Sequence, residues 1–260
     1  MKKFVKAIAA LMLMTAVVCA AGCTKPDEPN NGGNNNGGNG GNSLNGHEYV
    51  DLGLPSGTLW ATCNVGADTP EGYGDYFAWG ETQPKGIYEW ENYIYAEYVE
   101  GKMYYYPKFT KYCTNSSSGY NGFTDNLNTL LPEDDAATAN WGSGWCMPTS
   151  SQWEELLGNT TCVWTMQNGV NGRRFTGSNG NVVFLPASSD CWGTESLPTH
   201  PKCLGEDGNY WSNSLSLEYD EEENDIASHF SFDSSSYQMD RIEGGLRFIG
   251  ASVRPVCSSH

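Results

Sequence analysis

The chain has 260 residues and a formal net charge of −17 at pH 7, from 31 acidic and 14 basic side chains. A field of this sign repels phosphate backbones and anionic lipid head groups, so we expect no nucleic-acid partner. Only four histidines occur, and none of the nine cysteines has the CxxC spacing, which argues against a structural zinc site.

Residues 1–22 have the pattern of a signal peptide. Three lysines precede an apolar run from Ala7 to Ala21, which is too short to cross a bilayer and ends in small residues. The cleavage region, Ala20-Ala21-Gly22-Cys23, resembles the lipobox of bacterial lipoproteins, with an alanine where leucine is usual. This resemblance implies that Cys23 is acylated and anchors the mature chain in outer-membrane lipid. The alternative is a secreted protein whose Cys23 is free or disulfide-bonded.

Residues 23–46 are predicted to form a flexible tether. From Asn30 to Gly46 the chain is almost entirely Asn and Gly, so it cannot bury enough apolar surface to offset its ordering entropy. A flexible coil of these 17 residues has a root-mean-square reach of roughly 20–25 Å. Lys25-Pro26-Asp27-Glu28 resembles a signal that carries some lipoproteins to the outer face, which implies a domain facing the cell exterior.

Residues 47–257 are predicted to form a single globular domain. His47 to Leu52 and Thr58 to Val65 have the composition of strands around a Gly/Pro turn. The segment from Gly86 to Tyr106 is rich in tyrosine, and two interpretations stay open. It is a stacking platform for sugars, or a loop that attaches itself to the β body by burying its rings.

A first short helix is predicted from Leu131 to Ala137, because acidic residues at its start complement the helix dipole. Calcium binding by Asp134 and Asp135 is the alternative, although a calcium site needs six to eight oxygens.

The strongest helix signal runs from Thr149 to Leu157. Thr149 and Gln152 match a capping box, and Trp153 begins an apolar stripe at helical spacing. We expect this helix to pack on a mostly β body, with Trp145 and Trp153 in the core.

The rest of the chain consists of short β-like runs broken by turn signals. The predicted strands are 161–165, 172–176, 181–185, 210–217, 228–232 and 248–256, and the first three are joined through Asn168-Gly169, Asn171-Gly172 and Asn179-Gly180. The acidic stretch 217–225 is predicted to be a solvated loop.

Cysteine usage permits disulfides in an exported protein. Seven cysteines remain outside Cys19 and Cys23, so at least one thiol is free or pairs outside the chain. Cys191 and Cys203 flank a Pro/Gly-containing loop and form the best candidate disulfide, which would stabilise the fold by about 3 kcal/mol.

A set of short sequence motifs along the chain resembles the motifs of the FISUMP-type major paralogous domain of bacterial surface lipoproteins. As a set in this order they are highly specific, and they read Leu54 to Ala61, Gly74 to Glu81, Asp134 to Ala137, Gly144-Trp145 with Met147-Pro148-Thr149, Gly208 to Ser212, and Ser252 to Val256. Cys146 departs from the family pattern, where an arginine is usual.

More distantly, Trp145 to Glu154, Gly208 to Trp211 and the Arg241 to Arg254 series are similar to landmarks of formylglycine-generating-enzyme domains. The similarity implies an α+β, C-type-lectin-like fold: a small twisted antiparallel sheet, one or two short helices, long loops and chain ends side by side. The oxidase activity of those enzymes is not implied. They hold copper with cysteines near these C-terminal landmarks, and residues 241–254 of this chain contain no cysteine. Sugar binding of the animal-lectin type is not implied either, because it relies on a Glu-Pro-Asn set of calcium ligands in the folded domain. The Glu28-Pro29-Asn30 of this chain lies in the tether. We therefore expect no cofactor.

No nucleophile–base pattern is present: the chain has no G-x-S-x-G elbow, and its histidines lack motif context. We therefore expect a non-catalytic, surface-displayed binding or adhesion module with a glycan or protein ligand. A hydrolase or oxidase relative ranks second, and a structural envelope or fimbrial component third. The C-type-lectin-like fold also serves hypervariable proteins diversified by retroelements, and Asn209 to Asp240 has the composition of their variable region.

In such a fold the loops between the later strands gather on one face, which predicts the ligand site. Aromatic rings there would stack, while amide, carboxylate and guanidinium groups give directional hydrogen bonds. The predicted residues are Trp192, Tyr210, Asn213, Tyr219, Asp220, Asp233, Tyr237 and Arg241. Trp211 is assigned to the core, since it alternates with Tyr210 across the sheet. The alternative site is the tyrosine-rich region 88–106.

Overall fold

A computed structural model of the chain describes residues 42–97, 107–193, 204–216 and 224–258, with the backbone alone at 237–244. Its strands are β1 Ser43–Leu44, β2 His47–Asp51, β3 Thr58–Ala61, β4 Tyr76–Phe77, β5 Ala96–Glu97, β6 Lys108–Phe109, β7 Thr161–Gln167, β8 Val170–Thr176, β9 Val182–Pro186, β10 Asp190–Cys191, β11 Asp207–Leu215, β12 Ile226–Asp233, β13 Tyr237–Leu246, β14 Gly250–Ser252 and β15 Val256–Ser258. The α-helices of this part are α1 Ala136–Trp141 and α2 Ser150–Asn159, and 3-10 turns lie at Trp90–Asn92, Tyr120–Gly122 and Pro132–Asp134.

The folded domain begins before His47, so the predicted boundary of the tether is wrong by four residues. β1 pairs with β2 through an Asn45-Gly46 turn in which both residues have positive φ, 51° and 86°. Trp145 Nε1 donates to the Leu44 carbonyl at 3.0 Å, which attaches this hairpin to the core. The Asn-Gly dipeptide was a local hairpin signal, but it lies inside an Asn/Gly-rich composition that concealed it.

One sheet holds both ends of the domain. Its strand order is β1-β2-β3-β15, and β15 is antiparallel to β3 with Val256 opposite Trp60. Both ends of the domain thus lie in one sheet, but β2 and β3 separate β1 from β15, so the first and last strands are not neighbours, contrary to the prediction.

The larger sheet has the order β10-β14-β11-β12-β13, with β4 paired to β14. All of its pairs are antiparallel except β11 with β14, where Tyr210 lies opposite Ser252. The single strand predicted over 248–256 is wrong, because β14 and β15 belong to different sheets. Between them the Arg254 side chain is buried and donates to the carbonyls of Ala61 and Thr62, at 3.0 and 2.7 Å, which stabilises the crossing.

A third sheet, β7-β8-β9, forms two hairpins from the predicted strand region. The turn at Asn168-Gly169 is confirmed, with φ of 49° and 87°. The turn predicted at Asn171-Gly172 is wrong, since both residues lie inside β8. Gly172 serves close approach instead: a Cβ there would lie 2.2 Å from the Leu185 carbonyl oxygen.

The helix predictions hold for α2 and shift for α1. Thr149 and Gln152 form the predicted capping box of α2. The region predicted as a helix from Leu131 is a 3-10 turn, and α1 begins only at Ala136 with Asp135 as its N-cap. Pro132 and the capping geometry of Asp135 favour this later start.

The core lies on both faces of the larger sheet. Trp145 and Trp211 are buried in the cluster on one face, and Trp153 is buried with Tyr210 and Phe230 in the cluster on the other, which confirms the core assignments of all three tryptophans. Within the described residues, none of the helices has the length and hydropathy needed to span a bilayer. The chain is thus an α+β protein dominated by β-strands.

Candidate functional site

Of the eight residues predicted as a ligand site, the four whose side chains the structure describes do not form one surface. Tyr219 and Asp220 lie outside the described residues, and Tyr237 and Arg241 are described by their backbone alone. The other four are spread along the larger sheet. Asn213 lies six residues along β11 from Asp207, which pairs with Asp233. At about 3.3 Å per residue this separation is roughly 20 Å, too far for one small ligand.

Tyr210 does not belong to a surface site, because its ring is fully buried. It lies about 6.0 Å from the rings of both Trp153 and Phe232, and its hydroxyl donates to the Pro186 carbonyl at 2.7 Å. Alternation does place Tyr210 and Trp211 on opposite faces of β11. The prediction failed because α2 and the β7-β8-β9 sheet cover the Tyr210 face as well.

Asn213 has a structural role at the far end of β11. Its backbone N–H donates to the Pro148 carbonyl, and its own carbonyl accepts from Leu130 N, both at 2.9 Å. Its side-chain oxygen accepts from the Ser214 hydroxyl at 3.0 Å. The backbone of Asn213 therefore joins β11 to two neighbouring segments.

Asp233 organises the turn between β12 and β13. Its Oδ1 accepts from the backbone N–H groups of Ser235 and Ser236, at 2.6 and 2.7 Å. Hydrogen bonds from Ser235 and Ser236 lower the pKa of this carboxyl to about 2. The buried Arg173 of β8 donates to the Asp233 and Ser236 carbonyls, at 2.8 and 2.9 Å, and holds the hairpin in place.

Among the four predicted residues whose side chains the structure describes, Trp192 is the exposed one. The chain has nine tryptophans, and Trp192 alone is exposed, with 55% of its surface accessible. Its backbone is held on both sides, because Cys191 pairs with Gly250 and Gly193 N donates to the Tyr88 carbonyl at 2.8 Å. The ring is thus presented from a fixed strand end.

Two carboxylates that sequence reasoning missed lie near Trp192. Asp190 lies two residues before Trp192, and its half-buried side chain is on the face of β10 opposite that of Cys191, which points into the aromatic cluster. Asp207 is brought alongside by a parallel bridge, in which Ser189 N donates to the Asp207 carbonyl at 2.8 Å. We call Asp190, Trp192 and Asp207 the Trp192 corner.

Both carboxyl groups of the Trp192 corner have raised pKa values, and the charge of Asp207 contributes to the rise at Asp190. Burial, and then the charge of Asp207, raises the pKa of Asp190 to about 6. Burial also raises the pKa of Asp207, and a hydrogen bond from Ser189 opposes the rise. The corner therefore holds closely spaced acceptors that favour a proton, a hydroxyl or a cation.

Asp190→Asn is expected to stabilise the protein at pH 7 and to have little effect at pH 3.5. The pKa of Asp190 is higher in the folded than in the unfolded chain, so the folded state binds more protons between about pH 4 and pH 6 and loses stability as the pH rises through that window. A shift of this size corresponds to on the order of 2–3 kcal/mol. Denaturant unfolding at both pH values measures it.

Asp233→Asn is the matched control with the opposite sign. Its pKa is lowered, so its contribution to stability is present above about pH 4 and is lost as the pH falls toward 2. This variant should be destabilised at pH 7. If Asp190→Asn is also destabilised at pH 7, the assignment of a raised pKa to Asp190 is wrong.

The tyrosine-rich segment forms core where the structure describes it. Tyr88 and Tyr93 are buried in a cluster with Phe109, and the Tyr93 hydroxyl donates to the Trp79 carbonyl at 2.8 Å. This confirms the interpretation that these two rings attach a loop to the β body. Tyr98 and Tyr104 to Tyr106 lie outside the described residues.

The calcium alternative does not fit the surroundings of Asp134 and Asp135. Asp134 accepts from the hydroxyls of Tyr95 and Tyr112 and pairs with Lys111. Asp135 accepts from the N–H groups of Thr138 and Met147, at 2.9 and 2.8 Å, as the N-cap of α1. Across the described ranges, no group of three or more His, Cys, Asp or Glu side chains is arranged to hold a metal ion.

The predicted Cys191–Cys203 disulfide is not formed. Cys191 is a free thiol that points into the aromatic cluster around Tyr76 and Tyr88. Cys203 lies outside the described residues.

Trp192 and its two neighbouring carboxylates are the strongest candidate site on the described surface. A flat ring with adjacent acceptors binds ligands that combine C–H faces with hydroxyl or amino groups. Comparisons with protein-family models, curated proteins and solved structures find no match to this chain.

Proposed function

We propose that this chain is a non-catalytic binding or adhesion module with a C-type-lectin-like fold. In this proposal an acylated Cys23 holds it in the outer membrane, and the tether presents the domain to the cell exterior. The Trp192 corner binds the ligand. The single observation that carries the binding role is Trp192, the exposed tryptophan, fixed by strand pairing on both sides.

Three features of the fold support the C-type-lectin-like assignment. Both chain ends lie in one sheet, the described α-helices are short, and a long connection joins some strands, such as β3 to β4. The sequence resemblance implied the short helices and the long connections.

A glycan suits the Trp192 corner better than other ligand classes. Sugar rings present C–H groups that pack on an indole face, and their hydroxyls donate to carboxylates. An aromatic ring has few rotatable bonds, so it also loses little side-chain entropy on binding. The chain's charge of −17 disfavours anionic sugars, so the ligand class is a neutral or amino-bearing glycan.

Trp192→Ala is expected to weaken glycan binding at least tenfold, which is about 1.4 kcal/mol, because it removes the stacking surface. The unmodified full-length protein is first screened on a glycan array, and the affinity for the best glycan is then measured by calorimetry. Tyr120→Ala is the matched control, since Tyr120 is an exposed ring (39% accessible) on another loop.

Circular dichroism must show that both variants remain folded. Equal affinity of the Trp192→Ala variant and the unmodified protein would exclude the Trp192 corner as the site. The failure of every neutral and amino-bearing glycan to bind would exclude the ligand class.

A further inference from the structure

The outer edge of the β7-β8-β9 sheet is a second surface of interest, because its edge strand can pair with a strand of another chain. β7 is its edge strand and spans seven residues, Thr161–Gln167, with the sequence TCVWTMQ. The strand contains no charged residue and no proline, and its register with β8 is continuous from end to end. Met166 and Val163 are 62% and 38% exposed.

The turn after β7 shows which backbone groups face outward from this edge. Asn168 and Gly169 form a two-residue hairpin turn, so the flanking Gln167 and Val170 are a hydrogen-bonded pair. Hydrogen-bonded and non-hydrogen-bonded pairs then alternate along the ladder. Cys162, Trp164 and Met166 therefore direct their N–H and C=O groups away from β8. None of these six groups has a hydrogen-bond partner among the described residues.

Such an edge is unusual for a chain that stays single. Edge strands are normally blocked by lysine, proline, a bulge or a covering segment, because unpaired backbone groups recruit another strand. β7 contains no lysine, no proline and no bulge. The absence of charged residues from β7 also matters. Two copies of a chain with a net charge of −17 repel each other, and this repulsion is weakest where two uncharged surfaces face each other.

We propose that two copies of this chain associate by antiparallel pairing of β7 with β7, joining two three-stranded sheets into one of six strands. The two-fold axis passes beside Trp164, so that Trp164 lies opposite Trp164 of the second copy and Cys162 lies opposite its Met166. This register pairs all three outward-facing residues with outward-facing residues of the other copy. Shifting the strand by two residues leaves at least one of them without a partner.

The side chains across the proposed seam are compatible in every pair. Val163 lies opposite Thr165 of the second copy and Thr161 opposite its Gln167, so no like charges meet. The exposed Met166 gains an apolar neighbour in Cys162. A seam of one strand pair is small beside a standard interface, so the dimer is expected to depend on protein concentration.

Met166→Cys tests the register directly in the full-length protein. The new thiol would lie opposite the native Cys162 of the second copy at a Cα separation of about 5.5 Å, within the range of a disulfide. Within one chain, positions 162 and 166 are about 13 Å apart on an extended strand and cannot be bridged. Mild oxidation is expected to give a covalent dimer on a non-reducing gel, and adding Cys162→Ser should abolish it.

Val163→Cys is the matched control, because the same strand then offers a new thiol opposite Thr165 and should not cross-link above the background of the unmodified chain. Val163→Glu adds two like charges to the seam and should weaken the dimer at least tenfold in sedimentation equilibrium. Circular dichroism confirms that each variant is folded. The proposal is overturned if the unmodified protein sediments as a monomer at all concentrations, or if Met166→Cys gives no more dimer than Val163→Cys.

Discussion

Trp153→Ala is expected to reduce the free energy of unfolding by about 3–5 kcal/mol, because a buried indole is replaced by a cavity. Trp153 is fully buried between the ring of Trp60, 4.7 Å away, and the stacked ring of Phe230, 4.9 Å away. Its removal separates α2 from the larger sheet. Urea denaturation followed by circular dichroism measures the change.

Ser151→Ala is the control for Trp153→Ala, since Ser151 is exposed on the same helix and its loss should change stability by no more than about 0.5 kcal/mol. A Trp153→Ala variant with unchanged stability would show that α2 does not pack on the sheet as described.

Arg247→Met is expected to destabilise the protein by about 3–5 kcal/mol, although it removes a buried charge. The Arg247 guanidinium is fully buried and donates to the carbonyls of Lys111, Tyr112 and Asn224, at 3.0–3.1 Å. It also lies 4.4 Å from the centre of the Phe109 ring.

Two effects of opposite sign compete in Arg247→Met. Burying an arginine without a carboxylate costs free energy, and neither ion pair among the described residues includes Arg247. Against this, each orphaned carbonyl costs about 1–3 kcal/mol, and three would be left. We expect the carbonyls to dominate, because methionine carries no donor that could replace the guanidinium.

Chemical denaturation of Arg247→Met beside Arg174→Met separates these effects. Arg174 is exposed on β8, so its substitution should change stability by about 0.5 kcal/mol or less. If Arg247→Met is as stable as the unmodified protein, desolvation of the guanidinium outweighs its hydrogen bonds.

Local patterns predicted the elements whose signals are short in sequence. The capping box of Thr149 and Gln152 identified the start of α2, and Asn168-Gly169 identified the turn after β7. The Asn45-Gly46 turn is equally local, but the Asn/Gly-rich composition around it predicts a tether. Trp211 could be assigned to the core from alternation alone, whereas Tyr210 could not be excluded from a surface.

The candidate site depended on contacts between residues distant in sequence. Asp190 and Asp207 are 17 residues apart and meet through one parallel bridge between Ser189 and Gly208. No local signal encodes such a bridge, because parallel neighbours are joined by a connection of arbitrary content. The exposure of Trp192 likewise depends on how segments distant in sequence pack around it.

By itself the sequence determined that a capped helix packs on a mostly β body, the core roles of Trp145, Trp153 and Trp211, and the chain's strongly acidic character, because hydrophobic spacing, capping and charge are local or additive properties. Only the tertiary structure decided that the larger sheet is covered on both faces and that β7 is an edge strand. It also decided that the Asp233 carboxylate accepts hydrogen bonds within its own turn. The reason is that burial and strand neighbours are set by non-local packing, and a residue's own sequence neighbours do not specify them.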